Sequence, residues 1–329
     1  MTMVISRSAK VLVTGALAGV LLAGCASGPA QAGSAAIVNG TAISLDTIQA
    51  QLNNYLAHQP PANGGQQTSP ADAARQIVSY AVLDQIDNAA VAKYHLNVPA
   101  QVVSQYTTQL GGIAGLMKNT GFTAAELQMI LRDRVVQLAY ATKYLSKFEV
   151  TFDTVSVGDQ KTATALAQKV SADPANAKSI LTAAAAGSNS QPQFGGKLTG
   201  GQIIGQQAQI DQQAQQSGGN SPSATILPVF AAKSNSVLTF SLSQGQWVVL
   251  VVHNADTNAT PSATDQQALT QANSDELIKS GTFLLSPLAQ DLNIKISPRY
   301  GVWDQITMSV VATVGQYGVE VPNKVTPGS

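Results

Sequence analysis

Cys25 is the only cysteine in a chain of 329 residues, and its thiol is the most reactive side chain available. One cysteine can form no internal disulfide, and a free thiol outside the cytoplasm is a liability, so the thiol calls for a covalent partner. The histidines, His58, His95 and His253, fall in a loop, at a helix end and at a strand end. None has the i, i+4 spacing of a helical metal pair, and without further cysteines no zinc site is expected. They read as surface or capping histidines. There is no Gly-x-Ser-x-Gly elbow, no Walker loop and no Gly-x-Gly-x-x-Gly sequence. Gly195-Gly196 and Gly200-Gly201 read as turns. Acidic residues are sparse, and no carboxylate pair shows in the linear order. The expectation is no catalytic residue, no metal and no cofactor.

The start of the chain gives Cys25 its setting. Arg7 and Lys10 precede an apolar run from Val11 to Ala23, the layout of a secretory signal. The run is short of the roughly 20 residues a membrane span needs. Leu22-Ala23-Gly24-Cys25 resembles the lipobox of bacterial lipoproteins. That resemblance implies removal of the signal peptide 1–24, lipid (palmitate among the acyl chains) on Cys25, and a chain held at the extracytoplasmic face of the cell membrane. Residues 25–36, small and Gly/Pro-containing, read as a flexible tether. The full chain has 18 basic and 18 acidic side chains. Losing Arg7 and Lys10 leaves 16 against 18, a charge of −2. That speaks against a nucleic-acid partner and puts the membrane link in the lipid rather than in charge. Charged residues are 11% of the chain, against about 25% in ordinary domains, so the surface is largely neutral and polar.

The elements behind these residues follow from local pattern. Asn39-Gly40 between short apolar runs predicts a hairpin, since both residues tolerate positive φ. Ser44 predicts a helix cap, with a helix over 45–56. Ala74, Ile77, Val78, Ala81, Val82, Ile86, Ala89 and Ala90 form an apolar stripe for a long helix over 71–94. Another helix starts near Pro99 and fades at Gly111-Gly112. Thr123 and Glu126 form a capping box for a helix of about 25 residues. Val150 to Val157 alternates like a strand, and 161–170 and 175–186 read as helices. Residues 187–224 are Gly-, Ser- and Gln-rich, with a low-complexity stretch at 205–216. Val237–Leu242 and Gln246–Val252 predict a hairpin, and Ala263–Leu292 a last helix.

The order of these parts resembles the SurA/PrsA family of folding factors. Val38-Asn39-Gly40 with Ile43-Ser44, Leu96-Asn-Val-Pro99, and Gly121-Phe122-Thr123-Ala-Ala-Glu126-Leu127 running into Leu131-Arg132-Asp133-Arg134 are similar to the family's chaperone domain, here residues 37–149. Residues 150–256 resemble a degenerate parvulin domain. The likeness lies in the first strand, Ala165-Leu-Ala-Gln-Lys-Val170, Gly195-Gly196-Lys-Leu198, Pro228-Val-Phe230 and the strand after Gly245. Parvulins carry one histidine on the first strand and one on the last. This first strand has none, and Trp247 or Val248 stands at the second place, with His253 about five residues late.

The resemblance implies an α+β fold: a mostly helical SurA-N-like chaperone domain completed by a C-terminal helix, plus a smaller parvulin-like α/β domain. Residues 257–304 are expected to pack back on the chaperone domain through Ile294, Ile296, Tyr300 and Trp303, while residues 305–329 have no assigned place. The implied function is a chaperone for unfolded or partly folded exported proteins, without prolyl isomerase activity. Such a protein needs an adaptable apolar surface rather than a catalytic constellation. Ile113, Leu116, Met117 and Phe122, interleaved with glycines, are the candidate peptide-binding residues, with Tyr106 and Met129 beside them; packing into the core is their other possible role. An isomerase with an atypical site at Trp247 or His253, and a scaffold lipoprotein with one dedicated partner, are the alternative readings.

Overall fold

The computed structural model describes residues 33–60, 67–186, 190–216, 225–243, 245–313 and 318–323. The signal peptide and Cys25 lie outside the described residues. The fold is α+β. Strands β1 (Ser34–Val38) and β2 (Thr41–Ser44) form the hairpin, with Asn39 at φ 48° and Gly40 at φ 83° in its turn. The first strand thus begins inside the expected tether: Ala35 and Ala36 are buried, because a third strand from the far end of the chain covers them.

Helices α1 (Leu45–His58), α2 (Pro70–Tyr94), α3 (Ala100–Gln109), α4 (Gly112–Thr120) and α5 (Ala124–Tyr144) follow. Ser44, Ser69 and Thr123 cap α1, α2 and α5, and Thr123 with Glu126 closes a capping box, a feature worth about 1 kcal/mol. The segment expected to fade at Gly111-Gly112 instead restarts as α4. Both glycines have positive φ, 93° and 75°, which lets the chain turn sharply and begin a second helix.

The second unit is built on a five-stranded antiparallel sheet of order β10-β5-β6-β3-β4. Its strands are β3 (Glu149–Val157), β4 (Gln193–Thr199), β5 (Ser236–Ser243), β6 (Gln246–Asp256) and β10 (Gly318–Pro322). Antiparallel sheets often keep one face wet; the central strands here are covered on both. Val155, Val157, Val237, Val249 and Val251 pack on α6 (Gln160–Ala172) and α7 (Ala177–Ala185). Phe152, Leu238, Phe240, Leu250 and Val252 belong to the main core. That core continues through Phe148 and Phe230, whose rings stand 5.0 Å apart at 70°, into the helical body. The low-complexity stretch, to which the sequence assigned no element, lies in α8 (Gly200–Gln216), with Ile203, Ile204 and Gln207 buried.

The expected last helix is three. Helix α9 (Ala263–Gln271) ends before Asn273, which caps α10 (Ser274–Leu284) together with Glu276. Pro287 opens α11 (Ser286–Asp291). Helix α10 lies along α5, and a Cβ at Gly281 would sit 2.1 Å from the Gln137 carbonyl oxygen, so only glycine permits this approach. Beyond α11, β7 (Lys295–Ile296) pairs with β1, setting Ile296 opposite Ala36 and Lys295 opposite Ile37. Asn39 N–H donates to Leu292 O at 2.6 Å and Ser297 N–H to Ala35 O at 2.9 Å. A small hairpin, β8 (Val302–Asp304) and β9 (Ser309–Val311), rests on α2, where Val310 N–H donates to Ser79 Oγ at 2.8 Å.

Candidate functional site

Two features of the helical body stand out. The first is a set of exposed apolar side chains on α3 and α4. Val102, Leu110 and Met117 are 39%, 38% and 40% exposed, and with Phe194 they are the exposed large hydrophobic side chains among the described residues. Single exposed apolar residues are ordinary; three of these four fall between positions 102 and 117, in α3, the residue that ends it and α4. From Leu96 to Phe122 the only charged residue is Lys118, so nothing on these helices selects the charge of a partner. The inner face holds them in place: Tyr106 packs with Leu131, Val135 and Ile278, and Val103, Ile113 and Leu116 pack against that group.

The structure divides the candidate peptide-binding residues. Met117 is exposed, and Ile113 and Leu116 are half-buried beside it. Phe122 and Tyr106 are each 8% exposed and serve the interior, the packing role that stood beside peptide binding for them. Phe122 stacks near Tyr55 at 5.1 Å and meets Tyr80 edge-on at 5.8 Å. Its ring is drawn inward because Gly121, at φ 77°, closes α4 tightly against the Gln59 backbone. Met129 is half-buried against the main core. Val102 and Leu110 escaped the sequence reading: each lies four residues from the buried Tyr106, on the same stripe of the helix, so spacing alone would have placed them inward, and only the structure shows them exposed. Of the docking residues, Tyr300 is buried, and Ile294, Ile296 and Trp303 are half-buried against the main core. Only Ile296 also belongs to a strand pair with the N-terminal hairpin.

The second feature is a carboxylate group that the linear order conceals. Asp84 and Asp87 on α2 meet Asp133 on α5. Asp87 is fully buried and Asp133 is 4% exposed. Arg132 spans Asp133 at 3.0 Å and Asp84 at 3.4 Å. Gln137 Nε2 donates to Asp87 Oδ2 at 2.9 Å, while Asp87 Oδ1 has no hydrogen-bond partner. Burial, with the Asp133 charge added to it, drives the Asp87 carboxyl well above the usual carboxylate range. Burial, with the Asp84 charge, pushes Asp133 up to about 8. The pair therefore holds a proton at neutral pH. Asp133 and Gln137 border a cleft of about 340 Å³ between α2, α5 and α10. The available signal was Asp87 itself, an acid directly following Ile86 on the buried stripe.

In the sheet unit, Thr154 on β3 donates its hydroxyl to Val249 O at 3.0 Å. Trp247 pairs in register with Val157. His253 lies inside β6, and its Nε2 stands 3.2 Å from Oδ2 of the buried Asp153. Asp153 Oδ1 accepts from Gly195 N–H at 2.7 Å, so this acid anchors the bend that starts β4. Among the described residues no group of three or more His, Cys, Asp or Glu is arranged to hold a metal ion.

The chain matches no family model and no curated protein. Among solved structures it is similar to the crystal structure of the foldase protein PrsA from Lactococcus lactis. That similarity has a TM-score of 0.26 and 11% identity, and it covers 80% of this chain and 94% of that one.

Proposed function

We propose that this protein is an extracytoplasmic, lipid-anchored chaperone that binds unfolded or partly folded exported polypeptides without isomerising their proline bonds. The observation that carries the reading is the exposure of three large apolar side chains along α3 and α4, Val102, Leu110 and Met117, in a segment almost free of charge. Burying one such side chain fully contributes about 1.5–3 kcal/mol. Three partial burials suit weak, reversible capture of many sequences, and methionine adapts its shape to whatever arrives. Rotation about a peptide bond faces a barrier of about 18–20 kcal/mol. The histidine that the parvulin resemblance would place on β3 is missing, and the Thr154 hydroxyl at the centre of that strand is already bound to the backbone.

Changing Val102, Leu110 and Met117 together to serine is expected to leave the fold intact and weaken suppression of client aggregation about tenfold, from the loss of roughly 1.4 kcal/mol of contact. Suppression equal to that of the unaltered protein would exclude these side chains as the client surface. The anchor has its own test. In cells, Cys25→Ala is expected to move the protein from the membrane fraction to the soluble one, and continued membrane retention would rule out lipid on Cys25 as the attachment.

A further inference from the structure

A crevice of about 200 Å³ lies at the seam of the two units, where α8 and the turn 225–231 face α10. Ile204, Leu227 and Phe283 supply its apolar walls. Pockets for drug-sized ligands run to about 300–1,000 Å³, so this one has room for a single large side chain.

Its polar wall holds two acids, one cation and the Ser280 hydroxyl. Each acid has a partner of its own: Asp211 accepts from Gln207 Nε2 at 2.9 Å, and Glu276 accepts from Asn273 N–H at 3.0 Å. Lys279 is exposed and makes no hydrogen bond or ion pair among the described residues. Ser280 is fully buried and its Oγ has no hydrogen-bond partner. A helical hydroxyl commonly returns to the carbonyl four residues back, as Thr282 does to Ile278 O at 3.0 Å. Ser280 does not, and a buried unpaired hydroxyl is a standing cost to the fold.

The geometry points to a subsite for one apolar residue of a bound peptide, with the side chain between Ile204, Leu227 and Phe283. The peptide's carbonyl or terminal carboxylate oxygen accepts from Ser280 Oγ and Lys279 Nζ. This rests on the client-binding reading and adds to it a contact at the seam that reads one residue. Lys279 also borders the cleft on the other side of α10, so a longer chain has a path across that helix.

The probe is fluorescein-labelled Ser-Gly-Ser-Leu-Phe, as free acid and as C-terminal amide, titrated into the full-length protein by fluorescence anisotropy. Ser280→Ala is expected to weaken binding about fivefold, the worth of one hydrogen bond, while raising Tm, because it removes an unpaired group. That opposition separates a binding role from a structural one. Lys279→Gln, at an exposed position that does not threaten folding, is expected to weaken the free acid alone if the acceptor is a terminal carboxylate, and both probes if it is a main-chain carbonyl. Affinities unchanged in both variants would overturn the subsite, as would failure of the unaltered protein to bind either probe. Client aggregation still suppressed by a protein that ignores these peptides would sink the subsite and leave the chaperone reading standing.

Discussion

Asp87→Asn is expected to stabilise the protein by about 2 kcal/mol at pH 8 and to flatten its loss of stability between pH 4 and pH 8. Asp87 and Asp133 are buried side by side with one guanidinium, Arg132, among three acids. Burial holds both carboxyls above their ordinary values, Asp133 at about 8 against 3.8 for the free side chain. A group whose folded value is raised binds its proton more tightly in the folded state. Its contribution is therefore intact below about pH 4 and is lost as pH rises through the folded value. The charged groups around the pair do not reverse this: Asp84 reinforces it, while Arg132 opposes it without cancelling it. Asparagine keeps an acceptor for Gln137 Nε2 and carries no charge to bury, so it removes the repulsion between positions 87 and 133 and leaves Asp133 with Arg132 and Asp84. Removing one of two like charges from a buried site relieves its desolvation cost and the repulsion together. Urea unfolding at pH 5 and pH 8 measures both quantities. Stability of the unaltered protein that stays level or rises between those pH values would show that the pair does not carry a proton.

Ending the chain at Thr313 is expected to cost roughly 3–5 kcal/mol and to lower Tm by on the order of 10 °C. The deletion removes β10, which pairs with β5 residue by residue from Gly318 opposite Phe240 to Pro322 opposite Ser236. It also removes Glu320, a carboxylate that ties three parts of the molecule together. Glu320 accepts from Lys233 N–H at 2.9 Å, from Ser236 Oγ at 2.7 Å, and from Gln290 Nε2 on α11. Ser171 on α6 loses its bond to Pro322 O at 2.6 Å. Without β10 the whole length of β5 becomes an open edge, which invites pairing with other chains. Differential scanning calorimetry with light scattering tests both effects. An unchanged Tm with no added association would mean that β10 only rests on the sheet.

Both predictions concern groups that the linear order hid, for different reasons. Asp87 and Asp133 each look like an ordinary polar position on an amphipathic helix. Their conflict appears only when α2 and α5 cross with those faces together. Glu320 lies in a stretch with no periodicity long enough to declare a strand; it becomes one because β5 offers an unpaired edge of matching length. The Gln-rich stretch was silent rather than hidden. Gln and Ala are good helix formers, yet the biased composition declared no element where Ile203, Ile204 and Gln207 supply a buried face for α8. His253 read as a strand-end residue because the apolar run stops at Val252, yet pairing with β3 carries β6 on to Asp256.

The sequence by itself determined the features whose physics is complete within a few residues. Asn39-Gly40 makes its turn because both residues accept positive φ. Thr123 and Glu126 start α5 because each satisfies the other's free N–H. Val150 to Val157 alternates because a strand must. Tertiary structure alone decided the rest: that Phe122 and Tyr106 turn inward, that α10 rests on α5 through Gly281, that β7 and β10 return from the end of the chain, and that Ser280 faces the seam without a partner. Each of these depends on which surfaces meet. A local pattern specifies what a surface is made of; only long-range packing selects the surface it meets and leaves a buried polar group paired or alone.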